Sequence, residues 1–127
     1  TVNIPDLYFF YALIDNGVDK NNNSKIEESE ALAVKKLFLK NNFITNLQGL
    51  EAFISLDTLD LMNNAVSSLA AVKSPTLKYL RCSGNPLPGF NFNRFTSLEH
   101  LECSYIYNTD PNLQISSLTN LKVLKCD

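Results

Sequence analysis

The residues best suited to chemistry in this chain lie in one polar run, Asp19-Lys20-Asn21-Asn22-Asn23-Ser24-Lys25-Ile26-Glu27-Glu28-Ser29-Glu30. Side-chain oxygens recur at every second position from Asp19 through Asn21 to Asn23, and carboxylates follow at Glu27 and Glu30. That spacing overlays the twelve-residue calcium loop of the EF-hand. Asp19, Asn21 and Asn23 fall at its positions 1, 3 and 5, Lys25 would offer its carbonyl at 7, and Glu27 stands at 9. Glu30 takes the bidentate position 12, and Ile26 the apolar position 8. A hard cation needs several oxygens at short range, and this pattern would deliver them from one loop. Position 6, where the chain turns sharply, carries Ser24 instead of glycine. A left-handed backbone costs such a residue about 1–2 kcal/mol. Calcium binding is therefore expected to be weak, about 10⁻⁴–10⁻³ M, as in extracellular modules. The plainer alternative is an asparagine-rich turn that holds no metal, since asparagine favours turns for local reasons.

His100 is the only histidine and lies two residues from Glu102, so an acid–base pair is conceivable. No nucleophile motif, glycine-rich phosphate loop or second metal cluster accompanies it, so catalysis is not expected. The three cysteines, Cys82, Cys103 and Cys126, are odd in number and form no close pair. They are expected to be buried free thiols acting as small hydrophobes. A disulfide between neighbouring coils is the minor alternative, because in-register side chains point the same way.

Composition narrows the field. The chain has 127 residues, 45% of them hydrophobic, which is the make-up of a folded domain. With 11 basic and 13 acidic residues the net charge is −2, and no basic block marks a nucleic-acid binder. The small cluster Lys35, Lys36 and Lys40 reads first as a solvated face. No apolar run approaches the roughly 18–20 residues that span a bilayer. The chain opens at Thr1-Val2-Asn3 without a methionine or a signal peptide, which suggests a mature or trimmed product.

An internal repeat dictates what holds these residues. Segments beginning at Val34, Leu56, Leu77, Leu98 and Leu121 align, separated by 22, 21, 21 and 23 residues. Three residues past the third apolar position stand Asn42, Asn64 and Asn85, each followed two residues later by Ile44, Val66 or Leu87. The pattern is L-x-x-L-x-L-x-x-N-x-L, the leucine-rich repeat. Each L-x-L is a short strand with alternate side chains inward, and stacking makes the core continuous. Buried at the turn, the asparagine amide can satisfy backbone groups that leave the sheet. The expected fold is an α/β solenoid: a right-handed leucine-rich repeat superhelix of about five coils. Its strands are short and parallel, and its convex side is mostly 3₁₀ or irregular, with Leu47, Leu50, Phe53, Leu69 and Val72 pointing inward. The fourth repeat has Ile106 where asparagine is expected, so a bulge or projecting loop is predicted around Tyr105-Ile106-Tyr107-Asn108.

Residues 1–33 read as a helical, EF-hand-like N-terminal cap, and 34–127 as the repeats. Leu7, Phe10, Tyr11 and Ile14 fall at helical spacing, so a helix near Pro5–Asn16 is predicted with that apolar face, stopped by Gly17. Phe38, Met62, Tyr79, Arg81, His100 and Glu102 flank the inward leucines and would form a mixed aromatic and charged concave surface. Tyrosine and arginine are enriched at binding hot spots. Arg81 and Glu102 occupy equivalent places in adjacent coils, which favours a cross-strand ion pair. The chain stops as the fifth strand ends, and an uncapped end would invite self-association.

Three stretches together resemble the internalin-type leucine-rich repeat proteins of bacterial cell surfaces: Asn3-Ile4-Pro5-Asp6, the loop Asp19 to Glu30, and the repeats from Val34. The first turn, Asn42-Phe43-Ile44-Thr45-Asn46-Leu47, is close to that family's N-x-I-x-x-L, and Asn64-Ala65-Val66-Ser67-Ser68-Leu69 keeps the spacing. The resemblance implies a secreted or surface-attached, non-enzymatic protein that binds a protein partner on its concave sheet. A structural, self-associating or glycan-binding surface element is the alternative.

Overall fold

The computed structural model describes residues 1–88, 91–106 and 114–126. Five three-residue strands stack in sequence order: β1 (Lys36–Phe38), β2 (Thr58–Asp60), β3 (Tyr79–Arg81), β4 (His100–Glu102) and β5 (Val123–Lys125). Every neighbouring pair is parallel and in register, so Leu37, Leu59, Leu80, Leu101 and Leu124 form one inward column. Among the described residues the convex return paths carry one 3₁₀ turn, Leu50–Ala52, and are otherwise turns and irregular backbone. Leu47, Leu50, Phe53, Leu69 and Val72 are buried there, as their spacing predicts. The architecture is the expected leucine-rich repeat solenoid, with a small helical segment at its N-terminus.

The asparagines hold the coils together. Asn64 accepts the N–H groups of Asn42 (3.0 Å) and Ile44 (3.1 Å) of the coil before it, and donates to the carbonyls of Leu39 (2.8 Å) and Leu61 (2.9 Å). Asn85 repeats this one coil on, accepting from Val66 (3.1 Å) and donating to Leu61 (2.8 Å) and Cys82 (3.0 Å). At the next coil Ile106 offers no acceptor, and Leu87 N–H turns to the carbonyl of Asn85 instead (2.8 Å). The residue before each repeat asparagine, or before Ile106, is left-handed: Asn41 (φ 60), Asn63 (φ 57), Gly84 (φ 73) and Tyr105 (φ 55). Asn and Gly tolerate this conformation, whereas tyrosine does so at a cost. Tyr105 is exposed and Ile106 half-buried; Tyr107 and Asn108 of the predicted loop lie outside the described residues.

Helix α1 (Leu7–Asp15) starts at Asp6, whose side chain accepts Phe9 N–H (3.1 Å). Its buried face is Phe9, Ala12 and Leu13, whereas Leu7 and Tyr11 are each at least 60% exposed. Of the face expected from spacing, Phe10 and Ile14 are half-buried against the core, whereas Leu7 and Tyr11 turn to solvent, so the buried face is rotated from the expected one. The helix reads Leu-Tyr-Phe-Phe-Tyr-Ala-Leu-Ile, apolar nearly all round, so periodicity alone does not choose a side. Joining the one continuous core that also holds Ile26, Ala31 and Leu37 makes the choice. Helix α2 (Glu28–Ala33) follows the polar loop.

The cysteines also depart from expectation. Cys103 and Cys126 are joined as a disulfide, and only Cys82 is a free, buried thiol among the described residues. In-register strands bring the two Cα atoms to 4.6 Å, inside the range a disulfide spans even when both side chains leave the same face. Burial pushes the Cys82 thiol up to about 12, so it stays protonated and inert.

Candidate functional site

Two regions hold the chemistry-bearing side chains. The first is the polar loop between α1 and α2. Asp19 accepts Asn23 N–H (3.2 Å) with one oxygen and Ser24 N–H (2.8 Å) with the other. Asn21 accepts Asn23 N–H (3.0 Å), and Asn23 accepts Lys25 N–H (2.9 Å) while donating to Glu27 (2.8 Å). Glu30 closes the loop, taking Lys20 N–H (2.7 Å) on one oxygen and Glu27 N–H (3.1 Å) on the other. The Glu27 amide thereby holds the Glu30 carboxyl below its ordinary value. Ser24 has the left-handed backbone (φ 61) that a glycine would take more readily, and so does Asn22 (φ 58). Ile26 is buried, and its carbonyl accepts Val2 N–H (2.7 Å). The loop thus gathers the oxygens of Asp19, Asn21 and Asn23 around its own amides. Among the described residues no three carboxylate, imidazole or thiol groups form a cluster of the kind that cages a metal. Among the described residues, Glu27 Oε2 is buried and has no hydrogen-bond partner.

The second region is the concave face. The registers sort its side chains into two columns. Lys36, Thr58, Tyr79, His100 and Val123 form one; Phe38, Asp60, Arg81, Glu102 and Lys125 form the other. The second column alternates in charge from β2 onward. Arg81 stands 3.8 Å from Asp60 and 3.6 Å from Glu102, and Lys125 lies 3.6 Å from Glu102. His100 Nε2 is 2.8 Å from the same Glu102 oxygen. Burial would raise the Glu102 pKa, but His100, Arg81 and Lys125 outweigh it and hold the carboxyl below its ordinary value. His100 and Glu102 therefore belong to an ion ladder that also engages Arg81 and Lys125. The expected Arg81–Glu102 pair is present as one rung of it.

Of the six residues expected to face a partner, Phe38 (57%) and Tyr79 (45%) are the most exposed apolar ones. Met62 lies just past β2 and is half-buried, and His100 and Glu102 are also half-buried. Sequence reasoning missed three positioning residues. Asn16, at the C-terminal end of α1, accepts Phe38 N–H (2.9 Å) and donates to Phe38 C=O (3.0 Å), so its amide caps the open edge of β1 as a strand would. Asp6 accepts Thr45 N–H (2.8 Å) and Asn46 N–H (3.0 Å), tying the cap to the first turn. Arg94 donates to the carbonyls of Leu69 and Val72 on the previous coil. None of the three carries a local sequence signal, because each partner lies 22 or more residues away.

No protein-family model matches the chain, and no curated protein is significantly similar to it. Solved structures are similar. Internalin C2 of Listeria monocytogenes superposes with a TM-score of 0.75 at 23% identity, covering 96% of this chain and 64% of that one. Internalin F of the same organism gives 0.80 at 18% identity, covering 97% and 43%. The functional domain of InlJ, also from Listeria monocytogenes and described as including a cysteine ladder, gives 0.50 at 19%, covering 80% and 32%. The chain thus spans less than two thirds of the length of each. At these identities the likeness is one of fold, and the chain shares the leucine-rich repeat solenoid of the Listeria internalins.

Proposed function

We propose that this chain is a non-enzymatic protein-binding module of a secreted or cell-surface bacterial protein, with its partner on the concave sheet. One observation carries the reading: five in-register strands present a continuous outward face on which Phe38 and Tyr79 stand exposed beside Arg81. Exposed aromatics beside arginine are the composition of an interface core. The internalin-type solenoid supports it, and the Cys103–Cys126 disulfide suits an oxidising, extracellular setting. Chemical cross-linking on intact source cells tests it. Wild-type chain should give a discrete cross-linked species that Tyr79→Ser and Val123→Ser both weaken and that Lys73→Glu, on the convex side, leaves intact. Equal yields from all four would refute a concave docking face.

We also propose that the loop Asp19–Glu30 takes calcium. Asp19, Asn21, Asn23, the Lys25 carbonyl, Glu27 and Glu30 would hold it, and the buried, unpartnered Glu27 Oε2 supports the assignment. When bound, the ion would supply charge neutralisation and tie the loop to α2 through Glu30; no reaction is implied. Titration calorimetry should show saturable heat with a dissociation constant of about 10⁻⁴–10⁻³ M, abolished by Glu30→Gln. Absence of heat, together with an unchanged melting temperature in calcium, would refute it.

A further inference from the structure

The concave face is not uniform. On β2 the outward residues are short, Thr58 and Asp60, and Asp60 is 7% exposed. On either side stand taller ones, Lys36 and Phe38 on β1 and Tyr79 and Arg81 on β3. The result is a depression of about 320 Å³, floored by Thr58, Leu59 and Asp60 and walled by the other four. Phe38 and Tyr79 line it from opposite strands, two strands and two residues apart, and the Tyr79 ring is steadied on its far side by His100 at 6.0 Å. Standard strand spacings put their Cα atoms roughly 12 Å apart, which leaves room for one planar side chain between the two aromatic walls.

Charge decides what flanks such a ring. Arg81 is shared between Asp60 and Glu102, and Asp60 spends its other oxygen on Met62 N–H (3.0 Å). Beyond β3 the ladder answers its own charges through Lys125. On β1, by contrast, Lys36 and the neighbouring Lys35 and Lys40 are exposed, and none is within ion-pair distance of a carboxylate among the described residues. The unsatisfied character of the face is therefore one aromatic slot with a basic lip.

We propose that this slot is the anchor site of the partner, and that the partner presents an acidic segment carrying one aromatic side chain. The ring enters between Phe38 and Tyr79, and the flanking carboxylates meet Lys36 and Lys40. A cationic anchor is disfavoured because it would meet the charges of Lys36 and Lys40, unpaired among the described residues. This inference rests on the concave-face reading above and specifies its occupant.

The chain contains no tryptophan, so a short peptide of aspartate and glutamate around a central tryptophan reports its own binding by fluorescence. Saturable binding with a dissociation constant below about 1 mM is expected, weakening with salt. Phe38→Ser and Lys36→Glu, both at exposed sites, should each weaken it about tenfold or more, while Lys73→Glu on the convex side should not. A peptide with lysines in place of the acids should bind about tenfold less well. Melting temperatures within a few degrees of wild type exclude unfolding as the cause. The inference is overturned if the acidic peptide fails to saturate, if the lysine peptide binds equally, or if neither Phe38→Ser nor Lys36→Glu matters. If the peptide fails while cross-linking still depends on Tyr79 and Val123, the slot is refuted and the binding-module reading stands. Failure of both removes both.

Discussion

At the scale of single residues, buried amides and one carboxylate are among the side chains that hold this solenoid together. Asn85 is 2% exposed and serves four backbone groups, Val66 N–H and the carbonyls of Leu61, Cys82 and, at 3.4 Å, Ser83. Replacing it with alanine strands them in the core. Since a buried unsatisfied group costs roughly 1–3 kcal/mol, Asn85→Ala should lower stability by about 2–4 kcal/mol, measured by urea unfolding. Asp6 works differently. Burial would raise its pKa, but the amides of Thr45, Asn46 and Phe9 outweigh that and lower it below the ordinary 3.8. A lowered folded pKa means the stabilisation is complete above the unfolded value and is lost as pH falls through the folded one. The wild-type melting temperature should therefore drop more steeply than that of Asp6→Asn below about pH 4. Equal slopes would show that the carboxylate contributes nothing. The repeat asparagines were legible because their spacing recurs. The bonds of Asp6 were not, since Thr45 lies 39 residues away and nothing local marks it as a partner.

Elements show where local pattern is insufficient. The span of α1 was legible, but its buried face was not, because a helix apolar on most sides has no unique stripe. The N-terminal segment before it lies against the first convex turn. Gly49 has φ 104, and a Cβ there would meet Ile4 Cγ1 at 2.7 Å and the Asn3 carbonyl at 2.8 Å. Gly49→Ala thus combines a left-handed backbone penalty with a steric clash against main chain, and should cost about 2 kcal/mol or more. The loss should appear as faster hydrogen exchange of Val2 and Ile26 amides before the distant strands respond. Charge is also patterned by element. Lys78 and Lys122 flank Glu99 at 3.9 and 2.9 Å, while Arg81 and Lys125 flank Glu102. Both patterns alternate from coil to coil, so each strand meets its neighbours with opposite sign and the stacking order is favoured.

For the whole molecule, one core runs from Phe9 and Leu13 of the cap through the coils to Leu118. Contacts are between neighbours, so stability behaves as a sum over coils. The coil without an asparagine tie, where Ile106 replaces it, is followed by a covalent tie, Cys103 to Cys126, closing 23 residues. By loop-closure entropy such a link contributes about 3 kcal/mol. Reduction should therefore loosen β5 and the return path before it, with exchange protection at β1 to β3 retained. Loss of protection along the whole sheet at once would show instead that the coils unfold as one unit.

The repeat period, the inward leucines, the asparagine positions and the outward residues of each strand follow from the sequence alone, because a period near 22 residues and an alternation of two leave little freedom. The oxygen spacing of the Asp19–Glu30 loop is legible in the same way. Only the tertiary structure decided which face of α1 is buried, that Asn16 caps the edge of β1, and that Cys103 reaches Cys126. It also decided that Thr58 and Asp60 leave a slot between Phe38 and Tyr79. Each of these depends on which residues are stacked beside one another in space. Periodicity assigns a side chain to a face, but its neighbours across the strand spacing determine what that face can hold.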